Sequence, residues 1–355
     1  MIKTGIKYTH KLDMEAARNN DFNIFEVDYQ DVDCINDRYH NSINIDGIYI
    51  SLEKLDSDIF MNVMNKARTN NSRYVVISTI GCDEINKLYE IADKNKDIIK
   101  ENAIDIYIEN NYIVKNDRYL YGHFSDSTDL NSVVEYLNDI TATSLFGVCI
   151  DVGYANIIGI NIRSLIEGVG SNLKLMHMND NDGEHVQFQM PYTFTTGRGI
   201  LSTDWFRIIG SLVRMNYKGK IVFNTTGTFE RTPVELHAAM LGLLKAMEKE
   251  WDEQFEFEDK LKRAKHIILF GAGKMAQNYM EEWGSRYKPA FFADNNKDNW
   301  GEIRMGVEVK SPDEIKNIQE QDRLVLICNL FYDAIGEQLD GMGVEYGCYW
   351  DHYYL

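Results

Sequence analysis

The stretch FGVCIDVGYANIIGINIRSLIEGVGSNLKLMHMNDNDG, residues 146–183, decides how the chain is read. It opens on an apolar run, FGVCIDVG (146–153), and closes on a second, LKLMHMND (173–180). Runs of this length, rich in Val, Ile, Leu and Met and bounded by turn residues, read as strands. Each carries polar side chains at its end: Asp151 in the first, and His177, Asn179 and Asp180 in the second. Chemistry at the C-terminal ends of apolar strands is the habit of barrels built from β-then-α units.

Outward from this stretch lie six further strand candidates: IKTGIKY (2–8), NIFEVDY (23–29), GIYISL (47–52), RYVVIST (73–79), AIDIYIEN (103–110) and KIVFNTT (220–226). Helical patterns cover residues 53–68, 83–100, 130–140, 203–215 and 232–249. Asp129, Thr203 and Thr232 are the expected N-caps, and Pro233 suits a first helical turn. Eight such units in about 250 residues predict an α/β chain that begins with a (β/α)8 TIM barrel. An open doubly wound sheet is the alternative. The charged segment EKEWDEQFEFEDKLKRAK (248–265) follows, and then a new strand begins in HIILFGAGKMAQ (266–277). The boundary is expected near residue 255, with a barrel over 1–255 and a small Rossmann-like α/β domain over 256–355.

Composition limits the function classes. The 355 residues suffice for two domains. The 44% hydrophobic and 26% charged fractions are those of a soluble globular protein. Apolar runs fall short of a membrane span, and MIKTGIKYTH lacks a signal-peptide core, so a cytoplasmic location is expected. The five cysteines form no CxxC pair; Cys149 and Cys328 lie in apolar runs and read as core. The net charge is −18, and residues 258–355 hold 12 basic and 17 acidic side chains, so both domains are acidic. That balance disfavours nucleic acid and anionic membranes as partners.

Four strand ends carry the polar residues that matter: Glu109-Asn110, Asp151, His177 with Asn179-Asp180, and Asn224. Two acids and an imidazole from neighbouring strands make an N/O site for a divalent metal. Singly, each has a structural reading: a strand-end Asp caps the next helix, and a lone His is satisfied in the core.

Several pieces then carry a family resemblance: IEN (108–110), FGVCIDVGYANIIG (146–159), LKLMHMNDNDG (173–183), GRGI (197–200) before TDWFRII (203–209), and YKGKIVFN (217–224). In order and spacing they resemble the xylose-isomerase-like sugar phosphate isomerase/epimerase barrels, which include an endonuclease branch. The likeness spans most of residues 100–230; the N-terminal strands fit loosely. It implies one divalent metal (Mn, Zn, Co or Mg) held by Glu109, Asp151, His177 and Asn224. Glu109 and His177 would be the catalytic pair, with Glu109 as base and the metal as Lewis acid on an enediolate.

The chain departs from that pattern. Asn224 replaces the family's second glutamate; its amide oxygen can coordinate but cannot serve as a base. Tyr154 stands where a histidine is usual. Val186-Gln187-Phe188 replaces an Asp-x-His, which removes ligands for further metals. His185 reads as a surface-loop histidine. A multi-metal DNA-repair nuclease is therefore not expected. Trp205, Tyr154 and Phe188 are candidate walls for a sugar ring, with a core role as the other reading of Trp205. Either the barrel is a one-metal isomerase or epimerase with Glu109 as its base, or it binds a sugar without turnover.

In the second domain an apolar strand enters Gly271-x-Gly273-x-x-Ala276 and a helix. Such a turn lets backbone approach a phosphate at the helix N-terminus, where Lys274 could meet it. The strand AFFAD ends in Asp294, 21 residues after Gly273, within reach of ribose hydroxyls. With roughly 95 residues, the domain has room for one mononucleotide-binding half. The run FFADNNKDNWGEIRMGVEVKSPDEI (291–315) resembles small Rossmann-like domains of bacterial polysaccharide and nucleotide-sugar proteins. The resemblance implies a nucleotide or nucleotide-sugar; a domain that keeps the fold and binds nothing is the alternative. A NAD-dependent oxidoreductase built on Gly271, Gly273 and Asp294 is opposed by the short domain. The tail CYWDHYYL (348–355) is expected as a last strand or packed on the barrel. The expected partner is a small-molecule sugar or nucleotide-sugar, with self-association into a homo-oligomer allowed.

Overall fold

In the computed structural model, which describes residues 3–194 and 203–349, the eight apolar runs become eight parallel strands. They are β1 (Lys3–Lys7), β2 (Phe25–Asp28), β3 (Ile45–Ser51), β4 (Tyr74–Ser78), β5 (Asp105–Glu109), β6 (Phe146–Asp151), β7 (Leu173–Met178) and β8 (Lys220–Phe223). Each pairs with its sequence neighbours, and β8 closes on β1 with Phe223 opposite Ile6. The sheet is thus a closed TIM barrel and not an open doubly wound sheet. The chain divides into two compact units, Met1–Asp252 and Glu253–Leu355.

Register stacks the inward side chains in layers of four from alternate strands. One layer is Lys7, Tyr49, Glu109 and His177, from β1, β3, β5 and β7. Below it lie Glu26, Val76, Cys149 and Val222; above it, at the strand ends, lie Asp28, Ser78, Asp151 and Asn224. Further down, Tyr74 stacks on Tyr107 with ring centroids 5.4 Å apart. Gly47 makes room for that pair: a Cβ there would stand 2.3 Å from the Tyr74 ring.

Several helix boundaries differ from the sequence expectation. The pattern at 53–68 resolves into a turn, Leu52–Lys54, and a helix, Ser57–Thr69, capped by Asp56. The pattern at 83–100 is two helices, Ile85–Lys94 and Lys96–Asn102; they part at Asn95, whose amide donates to the Ile91 carbonyl. Asp126, not Asp129, caps Ser127–Thr141, because its carboxylate accepts from two first-turn N–H groups. Asp204, not Thr203, caps Trp205–Arg214; the Thr203 hydroxyl goes to Asp180 instead. Thr232 ends Thr226–Arg231 and donates back to the Thr228 carbonyl, and the last barrel helix starts only at His237. A helix without a sequence expectation, Ile162–Val169, is capped by Asn161. The GRGI motif lies outside the described residues.

The second unit is a six-stranded sheet. Its strands are β9 (His266–Phe270), β10 (Phe291–Ala293), β11 (Ile303–Arg304), β12 (Val307–Lys310), β13 (Arg323–Ile327) and β14 (Gly347–Cys348). The order is β11-β12-β10-β9-β13-β14, parallel except for β11 with β12. The start of the aromatic tail forms the edge strand, and Tyr349 is buried on Tyr279; residues 350–355 lie outside the described part. Among the described residues, no helix is long and apolar enough to cross a membrane.

Candidate functional site

The barrel strands bury Glu109, Asp151 and His177 completely and set both carboxylates beside one nitrogen of the His177 ring. His177 Nδ1 lies 2.7 Å from Glu109 Oε1 and 3.9 Å from Asp151 Oδ2. Its Nε2 lies 3.0 Å from Glu26 Oε2. Tyr49 donates to Glu109 Oε2 at 2.8 Å, and the Lys7 ammonium sits 3.0 Å from the Tyr49 ring centroid and 3.8 Å from Glu26 Oε1. Contacts therefore run from Lys7 through Glu26, His177, Glu109 and Tyr49 back to Lys7.

Asp151 is held from every side. Its carboxylate accepts from the Asn179 amide at 2.9 and 2.8 Å, from the Asn224 amide at 3.2 Å and from the Tyr154 N–H at 3.0 Å. Beyond the end of β5, Asn110 acts as a strand partner through its side chain: it accepts from the Asp151 N–H at 2.6 Å and donates to the Asp151 carbonyl at 3.1 Å. The NDND run after β7 cross-links the mouth. Asn181 accepts from Asn156 and donates to the Gly153 carbonyl. Asp180 accepts from Thr203, the Phe194 N–H and Trp205.

Electrostatics follow from this burial. Burial, and next the neighbouring Glu109 charge, push Asp151 up to about 6, while His177 and Asn179 oppose them. Burial alone would pull His177 down, yet the groups on its ring, Cys149, Glu26 and Glu109, hold it well above its ordinary value. Burial pushes the Cys149 thiol itself up to about 12, so it stays neutral and the carboxylates carry the effect. For Glu26, burial works upward, but His177 and Lys7 prevail and hold it below its ordinary value.

The donor set suits a divalent ion. Two carboxylates and an imidazole are N/O donors, and the Glu109 and Asp151 oxygens lie 2.7 and 3.9 Å from the same ring nitrogen. The other ring nitrogen rests on a carboxylate, the usual partner of a metal-bound histidine. Glu109, Cys149 and His177 form a donor cluster within 4.8 Å, so the sulfur taken as core also borders the site. Asn224 joins the group through its N–H, aimed at Asp151.

Other expected residues divide. Tyr154 meets Phe188 edge-on at 6.0 Å and Tyr112 at 5.3 Å, forming an aromatic group beside Asp151. Trp205 stays out of it: it is buried and stacks on Trp251. His185 is exposed and paired with Asp182. Sequence reasoning missed Lys7, Glu26 and Tyr49. For Lys7 and Glu26 the one signal was a charge within an expected barrel strand, masked by its alternation with apolar residues; Tyr49 gave none.

In the second unit Gly271 has φ +117, and a Cβ there would lie 2.5 Å from the Cys328 carbonyl oxygen, so the turn needs glycine. Gly273 precedes the helix Lys274–Glu282, and the space at its Cβ position is open. Asp294 follows β10 and accepts from the Asn296 N–H and the Asn299 amide, within its own loop. Arg304 reaches the Ala272 carbonyl at 3.4 Å.

Among curated proteins, none matches the sequence. A family model described as C2185-like, N-terminal, matches residues 263–347, within the second unit. The chain is similar to the solved structure of a D-tagatose 3-epimerase-like protein, at 18% identity and TM-score 0.50, over 72% of this chain and 99% of that one. An L-ribulose 3-epimerase is similar at 14% identity and TM-score 0.53, over 75% and 99%. The IOLI protein with a binding zinc atom is similar at 14% identity and TM-score 0.53, over 70% and 97%. At these identities the likeness is one of fold, the TIM barrel.

Proposed function

We propose that the barrel is a sugar isomerase or epimerase that uses one divalent metal held by Glu109, Asp151 and His177. The observation that carries this reading is the approach of the Glu109 and Asp151 carboxylates to one nitrogen of the buried His177 ring. The sugar epimerases among the similar structures support a small-molecule sugar as substrate, and the zinc of the IOLI protein supports a divalent metal. When bound, the metal would supply Lewis-acid polarisation of a sugar oxygen. Glu109 takes and returns the proton beside the carbonyl, with Tyr49 fixing its second oxygen. Asn224 carries no proton at neutral pH; it keeps Asp151 in place. Tyr154 and Phe188 line the apolar side of the sugar.

The test is a screen of aldoses and ketoses for interconversion. Wild type converts at least one, and Glu109→Gln lowers the rate about 10²–10⁴-fold. Binding of a sugar without conversion would favour the second reading, a barrel that binds and does not catalyse. The amide at position 224, in place of a base, is the observation on that side.

For the second unit, the reading is a Rossmann-like domain holding a nucleotide, or the nucleotide part of a nucleotide-sugar. Gly271, Gly273 and Lys274 would face the phosphates and Asp294 the ribose. The glycine turn ahead of the helix Lys274–Glu282 supports it. Titration with UDP is expected to show binding that weakens in Lys274→Ala; tight NAD binding instead would favour an oxidoreductase.

A further inference from the structure

We propose that Glu26 is a positioning residue for His177, with Lys7 as its countercharge, and that this pair serves the metal site and not the stability of the barrel. The inference rests on the reading of Glu109, Asp151 and His177 as metal ligands.

The layer that holds Glu26 is otherwise apolar in character: its other members are Val76, Cys149 and Val222. Glu26 is fully buried there. One of its oxygens meets His177 Nε2 at 3.0 Å. The other makes no hydrogen bond of ordinary geometry among the described residues: Lys7 Nζ faces it at 3.8 Å, beyond hydrogen-bond reach, and the nearby Tyr74 hydroxyl is likewise unsatisfied. A buried ion pair at that separation recovers little of its desolvation cost, and apolar replacements of similar volume are often neutral or stabilising. The fold therefore gains little from this acid and base.

What the pair does is fix an imidazole. The Nε2–H donated to Glu26 leaves Nδ1 directed at Glu109 and Asp151. Without that bond the ring can turn over and present the wrong nitrogen. Lys7 holds Glu26 from the side opposite His177 and is itself seated on the Tyr49 ring. Tyr49 donates to Glu109 Oε2, which leaves Oε1 to the site. The positions of two of the three ligands thus depend on β1, β2 and β3, which contribute no ligand.

The test is calorimetric titration of the full chain with Zn²⁺, combined with melting temperatures. Glu26→Gln is expected to weaken Zn²⁺ about 10–100-fold. The double variant Lys7→Met/Glu26→Leu is expected to lose Zn²⁺ affinity to at least the same degree and to melt at or above the wild-type temperature. Unchanged affinity in Glu26→Gln would overturn the positioning role and leave the metal reading standing. A double variant that melts well below wild type would make the pair structural and overturn the proposal. No Zn²⁺ uptake by wild type would overturn both this inference and the metal reading.

Discussion

Substituting Gly153 by alanine tests how the mouth of the barrel is built. The residue sits in the short helix Val152–Ile157 that starts from Asp151. A Cβ at this position would stand 2.0 Å from Asn179 Oδ1 and 3.0 Å from Asn181 Nδ2. Asn179 must then withdraw, and it is the residue whose amide donates to both oxygens of Asp151. Overpacking costs about 1–3 kcal/mol. Each lost hydrogen bond to a charged acceptor costs about 1.5–3 kcal/mol. Alanine in a helix returns about 1 kcal/mol. The net is a loss of about 3 kcal/mol, or roughly 10 °C in melting temperature for a unit of this size. The assay is a double-mutant cycle with Asn179→Ala, read by urea denaturation. Where Asn179 is already truncated, the larger clash is gone, so Gly153→Ala should cost at least about 1.5 kcal/mol less. A cost within about 0.5 kcal/mol of zero, or the same cost in both backgrounds, would mean that Gly153 does not hold Asn179 on Asp151.

Further predictions concern charge and backbone. Asp151 is raised to about 6 from 3.8, so the folded metal-free protein holds a proton that the unfolded chain has released. Its contribution to stability is therefore full below about pH 4 and lost as pH rises through about 6, by about 3 kcal/mol. The stability difference between wild type and Asp151→Asn in chelator should follow that course; a flat difference would contradict it. Asn224→Glu places a second carboxylate where an amide now donates 3.2 Å from Asp151, so it should lower the metal-free melting temperature. Metal should restore it more than in wild type; equal restoration would count against Asp151 and position 224 sharing one site. Gly271→Ala, at φ +117 with the Cys328 carbonyl oxygen 2.5 Å from its Cβ, should destabilise the second unit by at least about 2 kcal/mol. Limited proteolysis of residues 253–355 reads that loss, and wild-type resistance would contradict it.

The barrel and half of its site were legible in the sequence because the apolar runs end in polar residues. Asp151 closes a run that is otherwise wholly apolar, and Glu109 and His177 lie in runs whose only other charge before the strand end is Asp105 or Lys174. The order of the strands then follows from simple β-then-α connection. Lys7 and Glu26 were hidden for the opposite reason. In IKTGIKY and NIFEVDY the charges alternate with apolar residues, as in a strand with one face in water. Only closure of the barrel covers both faces and puts these charges in its interior. Cap positions were misread where two acceptors compete one to three residues apart, as Asp126 with Asp129 and Asp204 with Thr203. The choice depends on which side chain a tertiary partner claims first, and Asp180 claims Thr203. The cross-links of the NDND run were likewise beyond a linear reading, since Asn179 and Asn181 act on residues 151–156 of the preceding unit.

Whether the barrel holds a metal is decided by the metal content of the full chain purified without chelator and then reconstituted, wild type beside His177→Ala. About one equivalent of a divalent first-row metal is expected in wild type, and its loss in the variant. A wild-type protein that takes up none, or a variant that keeps it, would contradict the claim that Glu109, Asp151 and His177 hold a metal.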